Sequence, residues 1–253
     1  MVAIGSWAPP VHEAVGEHRV VHMAASASGA ATGIVWAAGV LPERYASPSR
    51  IAGILETLGR PAAAKYLRNK LPTDMKARSG DVGEILGVQY AEQELGYRAI
   101  ARFRWKDHPN MAMRGDDIVG IRTPISGTIE FLKGEIKSRL RLSSTTVAEA
   151  DEALRGDDGR PSPHALEFVA DRLYDQGEDD LARLIDAALL AHGIGEDQVV
   201  QLLFTFTEND PRAALRNNTK AYDEGVRRYA VGLQVPNHQQ FIADVYAKVI
   251  ADA

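Results

Sequence analysis

Asp117-Ile118-Val119-Gly120-Ile121 and Gly127-Thr128-Ile129-Glu130-Phe131-Leu132-Lys133-Gly134-Glu135-Ile136-Lys137 are two apolar runs that lie close together in the chain. Their lengths and β-branched content predict two neighbouring strands. Asp117 opens the first run. Glu135 and Lys137 close the second, and side chains two residues apart on a strand share one face. Pairing of the two strands lets Asp117 and Glu135 converge on one divalent cation with Lys137 beside them. Hard carboxylate oxygens suit Mg²⁺ or Mn²⁺, which one or two carboxylates commonly hold. Such a cation supplies the Lewis acidity of metal-assisted phosphodiester hydrolysis, and an adjacent ammonium can orient water or stabilise charge in the transition state.

Working outward, Asp81 to Leu95 reads as a helix with Asp81 as its N-cap and Gly96 as its stop. Glu84, Val88, Ala91 and Leu95 fall on one stripe of it, so a carboxylate heads an apolar face and needs a partner, either a metal or a basic group. Tyr97 to Trp105 alternates apolar residues with Arg98, Arg102 and Arg104, the pattern of a strand with a basic face, and Lys106 to Asn110 is a turn. Thr146-Val147-Ala148-Glu149 has the form of a capping box that starts a helix.

The remaining chain is expected to complete an α/β core, with a largely helical C-terminal part. His18 to Ala38 predicts one or two strands, and the apolar run Val20 to Leu41 is read as buried strands because Ser, Thr, Gly and His22 interrupt it too often for a membrane span. Ser49 to Leu58 has apolar residues at 51, 54, 55 and 58 with Gly59 after them, which predicts an amphipathic helix, and Ala62 to Leu71 predicts another. Ser162-Pro163 opens a helix, Asp179 to His192 is a second ending at Gly193, Val199 to Phe206 and Arg227 to Val235 are strands, and Phe241, Val245, Tyr246 and Val249 mark a final helix. No repeat or low-complexity linker divides the chain, so a single domain over residues 1–253 is expected, with the site motifs in 78–150.

Composition narrows the chemistry. With 253 residues, 45% hydrophobic and 25% charged, the chain is an ordinary globular protein, not a disordered or fibrous one. It has no Cys, which excludes thiolate nucleophiles, Cys-ligated zinc and iron–sulfur clusters, and agrees with a cytoplasmic location. The seven His form no H-x-H or H-E-x-x-H pair, and no G-x-S-x-G, G-x-x-x-x-G-K-[ST] or G-x-G-x-x-G is present. Zinc hydrolase, serine hydrolase, P-loop NTPase and dinucleotide enzyme therefore lack their usual signals.

A D/E-x-K triplet arises readily by chance, and Asp74-Met75-Lys76 is a decoy in the Pro-containing segment Leu71-Pro72-Thr73 onward. Glu135-Ile136-Lys137 differs because it sits within a strand pattern and follows an acid that itself opens a strand. Taken together, Arg78-Ser79-Gly80-Asp81-Val82-Gly83-Glu84, Met113-Arg114-Gly115-Asp116-Asp117-Ile118-Val119-Gly120 and Gly134-Glu135-Ile136-Lys137-Ser138-Arg139 resemble the PD-(D/E)XK, restriction-endonuclease-like nucleases. More narrowly they resemble the HamA family, nuclease subunits of the Hachiman anti-phage defence system that work beside a helicase, HamB. The resemblance is firmest over residues 78–150. It implies a mixed sheet flanked by helices, Asp117, Glu135 and Lys137 as the catalytic set with Glu84 as the helix acid, Mg²⁺ or Mn²⁺ as cofactor, DNA as substrate and a helicase partner. The sequence departs from the motif in doubling the acid: Asp116 and Asp117 both stand where one metal ligand is needed. Asp117 is preferred because it directly precedes the apolar strand.

Charge agrees with a nucleic-acid partner. The chain has net charge -5, yet Arg98 to Arg141 carries ten Lys/Arg against five acids. A basic centre on an acidic body can grip a phosphate backbone, with Arg102, Arg104, Arg114, Arg139 and Arg141 as the candidate contacts. Other readings are that these arginines pair with the acidic C-terminal helices, that the protein binds DNA on a nuclease-like fold without cutting it, that its substrate is RNA, or that Glu135 and Lys137 are a structural pair.

Overall fold

The computed structural model describes residues 3–99, 108–111, 115–123 and 127–252. In chain order its elements are α1 (Ile4–Trp7), β1 (Pro10–Val15), β2 (His18–Ala24), α2 (Ala27–Tyr45), α3 (Pro48–Leu58), α4 (Arg60–Lys70), α5 (Met75–Gln93), β3 (Arg98–Ala99), β4 (Ile118–Arg122), β5 (Glu130–Arg139), α6 (Ser144–Arg155), α7 (Pro163–Asp175), α8 (Asp179–Ala187), β6 (Val199–Thr207), α9 (Arg212–Ala221), β7 (Arg227–Gln234) and α10 (His238–Asp252). The seven strands form one mixed sheet in the order β1-β2-β7-β6-β5-β4-β3. The four central strands β2, β7, β6 and β5 run parallel, and β1, β4 and β3 join antiparallel at the two sides. The fold is thus the mixed α/β sheet with flanking helices that the sequence predicts.

The central strand explains the layering. Every residue of β6 is buried, because helices cover both faces of the parallel region, and its sequence is a nearly continuous apolar run. On one face α1, α2, α5 and α10 pack against Leu202, Phe204 and Phe206 of β6 and Leu132 and Ile136 of β5. On the other face α6 and α9 pack against Leu203 and Ala230, and α7 and α8 against Val119, Ile121 and Phe131. The polar residues at the centre have partners: Gln201 donates to the carbonyls of Leu154 and Gly159 at 3.1 and 3.2 Å.

Three local readings are corrected. The stretch up to Leu41, expected to be strand, lies from residue 27 onward in the long helix α2, which is capped by Ser26, whose side chain accepts the Gly29 amide. Its small residues serve helix packing: a Cβ at Gly33 would stand 2.9 Å from the Trp7 ring. The helix expected from Asp81 starts at Met75 instead, with Asp74 as the side chain that caps it by accepting the Ala77 amide. Asp81 is a buried mid-helix residue hydrogen-bonded by the Tyr45 hydroxyl, and the decoy triplet at 74–76 is a helix start, not a loop. Helix α6 is capped by Ser143, which accepts the Thr146 amide, so Thr146 lies inside the first turn. The strand expected over 97–105 is described only as β3, and residues 100–107 lie outside the described residues.

Helix α5 packs closely on the strands bearing the motif. Gly83 and Gly87 let α5 lie against β5, since a Cβ at Gly83 would meet Ser138 and Ile136, and one at Gly87 would meet Ile136 and Ile118. Across the strands, Gly134 faces Ile118 so closely that a Cβ there would stand 2.8 Å from the Ile118 Cβ. Gly134→Ala is therefore expected to destabilise the protein by about 1–3 kcal/mol, the usual cost of overpacking a close-packed site. A lower urea midpoint at unchanged slope would show it; a midpoint equal to the wild type would show that β4 moves aside freely.

Candidate active site

The site forms where β4 and β5 part. Their last rung pairs Ile118 with Gly134, so the register continued by one residue sets Asp117 against Glu135. Beyond that rung β4 no longer supplies carbonyls to β5. The Asp117 carboxylate takes over this role and accepts the backbone N–H of Ile136 at 2.8 Å. Asp117 is thereby anchored to the residue that lies between Glu135 and Lys137. Both carboxylates and the ammonium are half-buried, and Lys137 donates to Glu135 at 2.5 Å.

Strand alternation divides the remaining predicted residues. Ile136 and Ser138 face α5, so Glu135 and Lys137 project from the opposite face of β5. Glu84, half-buried one residue beyond Gly83, instead lines a cleft of about 780 Å³ with Asp74, Ser79, Asp81, Ser138, Arg139 and His238. Among the described residues no three Asp, Glu or His side chains are placed to hold one metal ion. The structure therefore brings Asp117 and Glu135 together and leaves Glu84 in the adjoining cleft. Two carboxylates brought to neighbouring positions, Asp117 on the Ile136 amide and Glu135 one residue before it, are a donor set that fits Mg²⁺ or Mn²⁺, which complete their coordination with water or substrate oxygens.

Asp116 has different partners. Its Oδ2 accepts the Ser162 N–H at 2.8 Å and the Ser162 hydroxyl at 3.0 Å, and Lys133 Nζ lies 3.6 Å from its Oδ1. Its side chain is 8% exposed. The structure thus gives the two adjacent acids separate surroundings, with Asp117 on the edge of β5 and Asp116 against the start of α7.

The basic run is largely neutralised where it is described. Arg98 pairs with Glu178, as the reading of arginines against C-terminal helices expects, and Arg122 pairs with Glu130. Lys133 and Lys137 face Asp116 and Glu135. Arg139, the last residue of the site strand, and Arg141 just after it are exposed, and neither has an ion pair among the described residues. Arg102, Arg104 and Arg114 lie outside the described residues.

Sequence reasoning missed the hydrogen-bonded wall behind Lys137. Ser138 bonds to Ser79 at 2.8 Å and to His238 Nε2 at 3.1 Å, joining β5 to α5 and α10. These residues are far apart in sequence and polar on an otherwise apolar face. Their only signal was the departure of Ser138 from the apolar alternation of Leu132 and Ile136.

An α/β protein with an acid–acid–lysine set at the parting of two sheet strands is the class that fold and site define. The chain belongs to the HamA family, whose model matches residues 34–249, a span that includes Glu84, Asp117, Glu135 and Lys137. It is similar to the Hachiman protein HamA of Bacillus cereus, with 25% identity over 166 residues. That match covers 65% of this chain and 59% of the relative, so the chain spans about three fifths of that protein's length. Among the described residues no helix is long and apolar enough to cross a membrane.

His238 supplies a pH test of the wall. It is 2% exposed, and burial pushes its pKa down to about 4 against the opposing pull of the Glu208 carboxylate. The unfolded chain takes up this proton from pH 6.5 downward while the folded chain resists it to about pH 4, so the stabilisation present at neutral pH is lost as pH falls through that window. The loss is at most about 3 kcal/mol. Urea midpoints measured from pH 7 to pH 4 are expected to fall more steeply in the wild type than in His238→Gln; parallel curves would show that other groups govern acid sensitivity.

Proposed function

We propose that the protein is a metal-dependent nuclease that hydrolyses DNA phosphodiester bonds in bacterial defence against phage. The observation that carries this reading is the Asp117 carboxylate on the Ile136 amide, which sets one acid beside the strand positions of the second acid and the lysine. Asp117 and Glu135 would hold Mg²⁺ or Mn²⁺. When bound, the cation supplies Lewis acidity and neutralises charge on the scissile phosphate.

The chain's own groups do the rest. The Lys137 ammonium, with three donors, is shared between Glu135 and the reacting phosphate or water, and stabilises the negative charge that grows in the transition state. Glu84 lines the cleft on the other face of β5, where it can contact a nucleotide next to the site. Arg139 and Arg141, at and just past the end of the strand, are suited to phosphates of the same DNA chain and would make binding salt-dependent. The defence role is supported by family membership and by the Hachiman name of the relative. A helicase of the HamB type as partner is supported by the family resemblance. The missing P-loop agrees, since unwinding would then fall to another chain.

The test is cleavage of supercoiled and linear plasmid by the purified protein, alone and with its helicase, over a Mg²⁺ series. Glu135→Ala and Lys137→Ala are each expected to lower the rate by about 10²-fold or more, the scale on which transition-state charge stabilisation acts. Both should keep the wild-type circular dichroism spectrum. Absence of cleavage by the wild type under all these conditions, with tight DNA binding retained, would overturn the catalytic reading in favour of a DNA-binding subunit on an inherited fold.

A further inference from the structure

The doubled acid of the motif has a physical division of labour. Asp116 follows Gly115, whose φ of 84° turns the chain sharply, and precedes Asp117 at the threshold of β4. Three groups hold its carboxylate: the Ser162 amide, the Ser162 hydroxyl and the Lys133 ammonium. Each of these is itself fixed. Ser162 is the N-cap of α7, accepting the Ala165 amide, and α7 packs through Leu166 and Val169 on the sheet face bearing Val119 and Phe131. Lys133 is 2% exposed, and its ammonium also donates to the Gly156 carbonyl at the end of α6. A buried lysine retained with its charge needs such a set of acceptors.

Asp116 and Asp117 are neighbours in the bend that leads into β4, so holding the side chain of one restrains the backbone that carries the next. We propose that Asp116 is a positioning residue: its clamp to Ser162 and Lys133 fixes the backbone so that the Asp117 carboxylate stays on the Ile136 amide, opposite Glu135. This inference rests on the reading of Asp117 and Glu135 as the metal-holding pair. Groups that orient a metal ligand from behind typically set metal affinity by about 10- to 100-fold. Asp116 does this without touching the metal, because its own oxygens are committed to α7 and β5.

The experiment is a Mn²⁺ titration of the full chain followed by electron paramagnetic resonance, with thermal unfolding of each variant and a Mg²⁺ series in the plasmid assay. Asp116→Ala is expected to weaken Mn²⁺ binding by about 10- to 100-fold, and Asp116→Asn, whose amide oxygen still accepts from Ser162, by about threefold or less. In cleavage, the Asp116→Ala defect is expected to recover at high Mg²⁺, whereas that of Asp117→Ala does not. A folded Asp116→Ala protein with wild-type Mn²⁺ affinity overturns the inference, as does an Asp116→Asn protein as impaired as Asp116→Ala. If Asp116→Ala does not fold, Lys133→Met decides: affinity lowered by about threefold or more supports the clamp, and unchanged affinity overturns it. A wild type with no Mn²⁺ binding that Asp117→Ala removes would show instead that the metal-pair reading itself is at fault, and the clamp falls with it.

Discussion

The hydrogen bond from the Ile136 amide to the Asp117 carboxylate is the contact on which the arrangement of the site depends. A sheet strand that outlasts its neighbour exposes backbone donors, and a buried donor must find an acceptor. β5 runs to Arg139, while β4 reaches only Ile118, opposite Gly134. A side-chain oxygen at the end of the shorter strand solves the problem and puts a carboxylate at the point where the two strands separate. The same bond therefore completes the sheet and builds the site. An apolar residue at 117 would leave the amide unsatisfied and remove the acid together, so stability and chemistry cannot be varied independently there.

Buried charge is handled in a comparable way further along the same face of the sheet. Arg228 is fully buried on β7, pairs with Asp151 of α6, donates to Gln201 of β6 and lies 3.5 Å from the Tyr222 ring centroid. These contacts join a helix to two strands through one guanidinium whose donors are largely engaged, the condition under which a buried cation is tolerated. Lys133 follows the same rule with Asp116 and the Gly156 carbonyl. In both cases α6 supplies part of the acceptor set, so this helix fixes two of the most buried cations of the sheet.

How much of this was legible in the sequence depended on whether local pattern or tertiary packing decided the structure. The strands β4, β5, β6 and β7 were readable because burial on both faces demands uninterrupted apolar runs, and the doubled Asp116-Asp117 was visible as a departure. The helix α2 was misread because its Ala, Gly and Ser residues carry no clear period; what makes it a helix is Gly33 closing on Trp7, a contact 26 residues away in sequence. β1 and α9 were not anticipated: β1 is a half-exposed edge strand and α9 has only Leu215 and Thr219 buried. At the site, spacing alone placed Asp117, Glu135 and Lys137 on adjacent strands. It could not say which face α5 would cover, and that choice, made by Gly83 and Gly87, is what separates Glu84 from Glu135.

The charge pattern shows why a linear count overstates a binding surface. Ten cations between Arg98 and Arg141 suggested a broad basic centre, but folding spends the described ones from 98 to 137 on internal acids: Arg98 on Glu178, Arg122 on Glu130, Lys133 on Asp116, Lys137 on Glu135. Arg227 arrives from β7 to share Glu130 as well. A cation already paired in a half-buried site gains little from an approaching phosphate unless its acid is neutralised, and a divalent ion on Glu135 would do that for Lys137.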